Sequence, residues 1–446
     1  MVVVFVLVAL LMVGVLVTAN WYVWRRLFHD TTSAPGPVRR IGAAVIAGGW
    51  LLAVGALVAE RAGAPFWLQR VLAWPGFLWL ALSIYLLLAV LAGEVVRPLL
   101  RRFLERRAAV RRTEGGESSA APAEDTKRIP AKTAPPKQPG AATGTPEAPG
   151  APEPPETPGP GAGSTSPGPL AVPSRRLFVS RVVAGAAAAA AVGTVGYGTY
   201  GVLSGPRVKR VTVPLAKLPR AAHGFRIAVV SDIHLGPVLG RGFAQKVVDT
   251  INSTQPDLIA VVGDLVDGSV KDLGPAAAPL ARLRARHGAY FVTGNHEYFS
   301  GAEQWVAEVR RLGLLPLENA RTELPHFDLA GVNDVAGEDE GRGPDYARAL
   351  GDRDRSRACV LLAHQPVQIH DAVDHGVDLQ LSGHTHGGQL WPGNLIAGAA
   401  NPTLAGLDRY GDTQLYVSRG AGAWGPPTRV GAPSDITVIE LASRQA

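Results

Sequence analysis

Asp, His and Asn side chains follow five apolar runs in the second half of the sequence. The runs and the polar residues after them are Phe225–Val230 with Asp232 and His234, Pro256–Val262 with Asp264 and Asp267, Ala289–Val292 with Asn295 and His296, Cys359–Ala363 with His364, and Val377–Leu381 with His384 and His386. Carboxylates, imidazoles and amides without thiolates are ligands for hard-to-borderline cations. This set exceeds the needs of one ion and suits two ions that share a carboxylate. Two cations about 3.5–4 Å apart can hold the attacking and leaving oxygens of a phosphoryl displacement.

The five runs have the composition of buried β-strands, and Gly263, Gly294 and Gly383 stand beside the polar residues. In open α/β sheets, ligand sites gather at the carboxyl ends of the strands, which meet in space although they are far apart in sequence. Gly allows the backbone to turn sharply there and to approach an ion closely. Each motif alone is a common loop sequence, but five of them in order, each at a strand end, indicate one site.

These motifs resemble those of the calcineurin-like metallophosphoesterases. The matching segments are Asp232-Ile233-His234, Gly263-Asp264-Leu265-Val266-Asp267, Gly294-Asn295-His296-Glu297, Ala363-His364-Gln365-Pro366 and Gly383-His384-Thr385-His386. The resemblance covers about Phe225–Val438, and Leu381–Gln389 is most similar to the membrane-associated bacterial branch. It implies an α/β fold, a four-layer α/β/β/α sandwich, and a metal-dependent hydrolase of phosphomonoesters, phosphodiesters or pyrophosphates.

The resemblance also implies a role for each site residue. Asp232, His234 and His386 would hold one metal ion, Asn295, His364 and His384 would hold a second, and Asp264 would bridge the two. His296 would act on the leaving oxygen as a catalytic group. Asp267 would orient His296, as carboxylates commonly orient imidazoles. Members of this family use Mn, Fe or Zn, and the sequence does not select among these ions.

Two differences from the motifs of related phosphatases, together with the charge balance of the second half of the chain, narrow the range of expected substrates. Gly268 follows Asp267 where Ser/Thr protein phosphatases have Arg, and Asp267 stands where purple acid phosphatases have Tyr. From Gly205 onward the chain has 24 Lys and Arg against 26 Asp and Glu, a balance of −2 within the total of +7. Because phosphate backbones require a basic surface, we expect no nucleic-acid partner and a phosphate-ester substrate.

The first half of the chain contains four apolar runs that are long enough to cross a hydrocarbon core of about 30 Å. The runs are Val2–Trp24, Ile41–Ala59, Val71–Gly93 and Val182–Leu203. Arg residues are dense in the first loop and after the third run, and sparse in the second loop. By the positive-inside rule this predicts a multi-pass cell-membrane protein with its amino terminus outside and its C-terminal domain on the extracytoplasmic side.

The sequence thus predicts four parts. Residues 1–112 form a membrane domain with three transmembrane helices, 113–173 a disordered linker rich in Pro and Gly, 174–206 a twin-arginine-like motif with a fourth transmembrane helix, and 207–446 a metallophosphoesterase domain. Membrane anchoring makes a lipid-linked or envelope substrate the natural hypothesis. Two alternatives remain open: a non-catalytic membrane protein that binds or senses metal, and a nucleotide phosphodiesterase that faces the cytoplasm.

Overall fold

The computed structural model describes residues 2–116 and 175–444. Four long helices occupy the predicted apolar runs, namely α1 (Val2–Trp24), α2 (Pro37–Arg61), α3 (Phe66–Gly116) and α4 (Arg175–Leu203). Each is long and apolar enough to cross a membrane. Arg175 and Arg176 of the twin-arginine-like motif form the first turn of α4. Of the predicted linker, residues 113–116 continue α3, and 117–173 lie outside the described residues.

The helices pack through small residues, and α3 lies against both α2 and α4. A Cβ atom on Gly49 of α2 would collide with the Trp79 ring of α3, whereas a Cβ on Gly48 would meet open space. Close approach at glycine is the usual means by which membrane helices gain packing contacts, since lipid is as apolar as leucine. The remaining surface of these helices exposes large apolar side chains, including Leu11 and Leu51.

The C-terminal part alternates strands and helices. The strands are β1 (Arg207–Leu215), β2 (Phe225–Val230), β3 (Leu258–Val262), β4 (Ala289–Val292), β5 (Leu315–Pro316), β6 (Ala320–Glu323), β7 (Phe327–Gly331), β8 (Ala358–Leu362), β9 (Leu379–Ser382), β10 (Gly406–Tyr410), β11 (Thr413–Val417) and β12 (Asp435–Ser443). The helices are α5 (Arg241–Ser253), α6 (Val270–Ala277), α7 (Asn295–Ser300), α8 (Ala302–Arg311), α9 (Tyr346–Leu350), α10 (Ile369–Asp374) and α11 (Gly393–Ala400). All five predicted strands are confirmed.

Two six-stranded sheets form the centre of this domain, with strand orders β1-β12-β2-β3-β4-β5 and β10-β11-β9-β8-β7-β6. The runs β2-β3-β4-β5 and β7-β8-β9-β11 are parallel, so their carboxyl ends share one edge of each sheet. Parallel strands are covered on both faces, which explains why their sequences are apolar throughout.

Alternate residues of one strand serve two different layers. Ile227 and Val229 of β2 pack in the core between the two sheets. Ala228 and Val230 point to the opposite face, which α5 and α8 cover. A third apolar cluster packs α9 and α10 on the outer face of the second sheet, where Cys359 is buried as a free thiol. The predicted four-layer α/β/β/α sandwich is therefore confirmed.

Candidate metal centre

The structure brings all nine predicted site residues to the carboxyl edge of the two sheets. Asp232 and His234 follow β2, Asp264 and Asp267 follow β3, Asn295 and His296 begin α7 after β4, His364 follows β8, and His384 and His386 follow β9. Three groups place one ligand atom per residue within 4.8 Å of one another: Asp232, His234 and His386; Asp264, His364 and His384; and His234, Asp267 and His296. The sandwich thus converts five separate loops into one cluster.

The first group is almost fully buried and is oriented by its neighbours. His386 Nε2 lies 3.3 Å from Asp232 Oδ1 and 3.0 Å from His234 Nε2. His234 Nδ1 lies 2.9 Å from Asp267 Oδ1. Because an ionised carboxylate can only accept a hydrogen bond, this contact places a proton on Nδ1 and turns Nε2 toward His386 Nε2 and toward Asp264 Oδ2, which is 3.8 Å away. Two imidazole nitrogens at this separation suit ligation of a common cation.

The second group has the same character. His364 Nδ1 donates to the carbonyl of Val262 at 2.8 Å, which leaves Nε2 facing Asp264 Oδ2 at 3.1 Å. Within the described residues, His364 Nε2 is buried without a hydrogen bond. A buried polar atom without a partner is costly, and a bound cation would remove that cost. His384 Nδ1 lies 3.0 Å from Asn295 Oδ1, so the amide oxygen joins this group.

Asp264 lies between the two groups. Its Oδ2 atom is 3.1 Å from His364 Nε2 and 3.8 Å from His234 Nε2. Burial alone would raise the pKa of this carboxyl, but the charge of His364 holds it well below its usual range. The charge of Asp264 in turn raises the pKa of His364 well above its usual value, against the effect of burial. A cation bound here would displace the proton of His364, because a ligand histidine must be neutral.

The chemistry of the other imidazoles also fits metal ligation, since a ligand histidine must be neutral. Burial, and then the charge of His364, lower the pKa of His384 to about 4. Burial, with the charges of His234 and Arg429, holds the pKa of His386 well below its usual range. The Arg429 guanidinium lies 3.1 Å from His386 Nδ1 and also donates to the His386 carbonyl.

His296 and Asp267 form a pair at the side of the cluster. His296 Nδ1 lies 2.7 Å from Asp267 Oδ1, and the His296 ring meets the rings of Phe299 and Trp424 edge-on. Burial alone would lower the pKa of His296, but the hydrogen bond and charge of Asp267 raise it to about 9. Burial would raise the pKa of Asp267, yet the charges and hydrogen bonds of His234 and His296 lower it to about 2.

The backbone at the cluster is held in an unfavourable conformation. Five of the ligand-type residues have a left-handed backbone, with φ of 51° at Asp232, 49° at His234, 53° at Asp264, 72° at His384 and 52° at His386. A residue with a Cβ in this region costs on the order of 1–3 kcal/mol, and such strain clusters at functional sites. The rest of the fold therefore holds these loops in a strained conformation that brings their side chains together.

Glu297 has no role in the sequence analysis, yet in the structure it connects two of the loops that carry the ligand residues. Its buried carboxylate accepts hydrogen bonds from the backbone N–H groups of Gly294 at 2.6 Å, Leu265 at 2.8 Å and Asp264 at 2.9 Å. It thereby ties the loop after β3 to the loop after β4. Its place in the Gly294–Glu297 motif was the signal available, because an acidic residue in the first turn of a helix can accept free N–H groups.

Two further residues at the cluster lie outside the motifs. Arg429 comes from the loop before β12, and Glu60 comes from the end of α2. Glu60 and Phe77 line a small cavity together with His234 and Asp267. Neither Arg429 nor Glu60 has a periodic or motif signal in the sequence, because each reaches the cluster through the packing of distant segments. The tip of the α2–α3 hairpin therefore lies against the candidate metal centre.

The comparisons with known proteins agree with this geometry. The family model for calcineurin-like phosphoesterase matches residues 225–388. An uncharacterized metallophosphoesterase of Helicobacter pylori is 37% identical over 273 residues, which are 60% of this chain and 73% of that protein. The uncharacterized metallophosphoesterase YkuE of Bacillus subtilis is 31% identical over 280 residues, 60% of this chain and 98% of that protein.

A vertebrate relative is similar over the same region. A zebrafish (Danio rerio) protein named as a transmembrane protein with metallophosphoesterase domain is 37% identical over 259 residues, 55% of this chain and 59% of that protein. The match thus spans about three fifths of that relative.

Proposed function

Because the chain belongs to the calcineurin-like phosphoesterase family, we propose that it is a membrane-anchored phosphoesterase that uses two metal ions. The observation that carries this proposal is the position of Asp264, whose carboxylate faces one ligand group through His234 and the other through His364. A carboxylate between two sets of three ligands suits two cations about 3.5–4 Å apart, the separation at which two metals can hold the attacking and leaving oxygens.

The proposal gives each residue a task. Asp232, His234 and His386 would hold one cation, Asn295, His364 and His384 would hold the other, and Asp264 would serve both. Bound Mn, Fe or Zn would supply positive charge for the phosphate oxygens and lower the pKa of a water. His296 donates a proton to the leaving oxygen, because its pKa of about 9 keeps it protonated at neutral pH. Asp267 holds that imidazole at 2.7 Å and fixes its orientation.

The packing of the long helices supports the proposed membrane placement. At one end of the bundle Arg26 pairs with Glu94 at 2.8 Å, and Arg181 donates to the Thr31 carbonyl at 3.0 Å. The opposite end carries Glu60, beside the metal centre. Since Lys and Arg flank membrane spans on the cytoplasmic side, the Arg-rich end lies in the cytoplasm. Residues 207–446 then form an extracytoplasmic catalytic domain behind three spans in 1–112 and one in 174–206.

The substrate that follows from this placement is a lipid-linked or envelope phosphate ester. A phosphomonoester, a phosphodiester and a pyrophosphate all present oxygens that two cations can hold, so the substrate class rests on location and not on the ligand set. A protein that only senses metal has no need of the His296–Asp267 pair, which disfavours that alternative.

The test is hydrolysis of bis(p-nitrophenyl) phosphate and p-nitrophenyl phosphate by the full chain in detergent. The metal-stripped protein is assayed with Mn, Fe or Zn added and with chelator. We expect hydrolysis only with added metal, and the preferred ester narrows the substrate to a diester or a monoester. A protein that binds metal but hydrolyses neither ester contradicts the proposal.

Protease treatment of intact cells tests the sidedness. We expect the protease to digest the domain in cells whose cell wall or outer membrane has been permeabilised while the cytoplasmic membrane is intact. Digestion only after lysis favours the alternative of a cytoplasm-facing nucleotide phosphodiesterase.

A further inference from the structure

The segment that follows His386 is unusually apolar for the surface of a soluble domain. Every residue from Gly387 to Leu407 is uncharged. This stretch contains α11 (Gly393–Ala400), and within the described part of the chain none of the eight residues of that helix is buried. Leu395 is 66% exposed, Ile396 is 77% exposed and Trp391 is 50% exposed. Removing apolar surface from water stabilises a protein by about 25 cal/mol per Å². Contact of these side chains with water is therefore less favourable than contact with an apolar partner.

The same segment begins in contact with the long helices. The Tyr85 hydroxyl of α3 donates to the Trp391 carbonyl at 2.9 Å, and Leu390 packs against an apolar cluster that includes Ala81, Ala191 and Val195. The segment is therefore continuous with the surface of the helix bundle. Any layer that covers the bundle also reaches the segment.

The position of Tyr85 gives the depth of this contact. The apolar stretch of α3 runs from Val71 to Gly93. At 1.5 Å per residue, Tyr85 lies about 12 Å from Gly93 and about 21 Å from Val71. Both distances fall inside a hydrocarbon core of about 30 Å. Val71 is at the proposed extracytoplasmic end of this stretch, so the Trp391 carbonyl bonded to Tyr85 lies inside that core and past its middle.

Several backbone groups of the segment are satisfied within the protein, as insertion into lipid requires. In hydrocarbon, backbone N–H and C=O groups must be satisfied within the protein. The Trp391 carbonyl accepts from Tyr85, the Trp391 N–H donates to the Val430 carbonyl at 2.9 Å, and α11 satisfies its own interior groups. Polar contacts point into the protein while Leu395 and Ile396 point away from it.

We propose that Trp391–Ala400 is a membrane-inserted segment whose occupied surface is the acyl-chain region of the bilayer. This inference rests on the proposed membrane placement of α1–α4. Trp391 comes five residues after His386, so insertion holds the metal centre against the bilayer. A phosphate carried by a membrane lipid can then reach the ligand cluster while the lipid stays in the membrane.

The test measures lipid contact at single positions in the full chain. Ile396→Cys, Leu51→Cys and Leu315→Cys are each labelled with a nitrobenzoxadiazole dye and reconstituted into vesicles of phosphatidylethanolamine and phosphatidylglycerol with doxyl-labelled phosphatidylcholine. Leu51 is 75% exposed on α2, and Leu315 is 47% exposed on β5, near the amino end of the neighbouring β4. The native Cys359 is buried, and burial raises the pKa of its thiol to about 12, so it does not compete for the dye.

We expect the lipid-bound quencher to act on the Ile396 label as strongly as on the Leu51 label, and at least about threefold more strongly than on the Leu315 label, because the apolar face of a membrane-inserted helix lies among the acyl chains. Leu395→Cys, 66% exposed, provides a second position and is expected to behave like Ile396→Cys. Equal weak quenching at positions 396 and 315 with strong quenching at 51 overturns the inference. Weak quenching at all three positions removes the membrane placement itself, and the inference with it. The readout requires no turnover, so it is separate from the test of hydrolysis.

Discussion

The metal-site edge of the sandwich and the four long helices differ in the side chains that they bury. Asp232, Asp264 and His364 are at most 2% exposed, whereas Leu11 and Leu51 on the helices are 67% and 75% exposed. Burial of charged groups is costly unless they are paired or bind a metal, and large exposed apolar surfaces mark contact sites. The two regions therefore favour different partners in the proposed function: cations at the site and lipid around the helices.

Removal of the charge of Asp264 is expected to change the metal-site edge more than any other substitution considered. In Asp264→Asn one ligand group loses its carboxylate and the other loses its shared contact. We expect the rate of bis(p-nitrophenyl) phosphate hydrolysis to fall by about 10³-fold, the scale seen when a single electrostatic group is removed from an active site. Steady-state kinetics in saturating metal provides the measurement.

Asp328→Asn is the matched control, because Asp328 is equally buried but pairs with Arg357 and Arg321 outside the cluster. We expect it to lower the melting temperature and to leave the rate per folded molecule unchanged. Equal rates in the two variants would show that Asp264 has no special position between the ligand groups.

Removal of His296 tests whether the site catalyses or only binds metal. His296 contacts Asp267 and two aromatic rings but is not one of the proposed ligands. In His296→Ala we expect kcat to fall by about 10²-fold, as for loss of a proton donor, with unchanged metal content by mass spectrometry. The exposed His370 serves as control, since His370→Ala should alter neither quantity. An unchanged kcat in His296→Ala would favour a metal-binding function.

The helix bundle is tested at neighbouring glycines. Gly49→Leu forces a side chain into the Trp79 ring, while Gly48→Leu places the same side chain in open space. Overpacking costs about 1–3 kcal/mol. We therefore expect Gly49→Leu to unfold at a lower concentration of a denaturing detergent than the wild type and Gly48→Leu. Equal stability of the two variants would contradict the described packing of α2 on α3.

The smallest expected effect is a pH dependence of the metal-free protein. The folded-state pKa of His296 is about 9, above its ordinary value of 6.5. The stability that this group contributes is therefore fully present below about pH 6.5 and is lost as the pH rises through about 9. In chelator, the melting temperature of the wild type should fall over that range.

Asp267→Asn removes the carboxylate that raises the His296 pKa, so its melting temperature should fall less between those pH values. Parallel curves for the two proteins would show that the Asp267–His296 pair does not account for the pH dependence.

Much of the site can be predicted from the sequence because the candidate ligands come directly after apolar strands. The same short segments therefore carry both the strand pattern and the ligand residues. Ala289–Val292 is a strand in both the prediction and the structure, since Gly288 and Thr293 bound a short β-branched and aromatic run. Asp and His at the ends of such strands are recognisable as a site when the five motifs are taken together, since each motif alone is a common loop sequence. The apolar residues of α5, Arg241–Ser253, recur at helical spacing, which is the pattern that indicates an amphipathic helix.

Other features depend on contacts between distant segments, and the sequence carries no local signal for them. β12 lies between β1 and β2, so the end of the chain closes a sheet that begins at Arg207. Arg429 and Glu60 reach the ligand cluster from a loop and from a helix end. Helix α11 has eight residues, too few for a membrane span, and only its exposure in the folded protein distinguishes it from a core helix.

The most direct test of the central claim, that two metal ions are held by ligand groups sharing Asp264, is the metal content of the active protein. Metal-stripped full-length chain is titrated with Mn while bound metal and hydrolysis of bis(p-nitrophenyl) phosphate are followed together. We predict that activity appears as two equivalents bind per chain, and that His364→Ala binds one equivalent without activity. Full activity at one equivalent, or equal activity in chelator, would contradict the account.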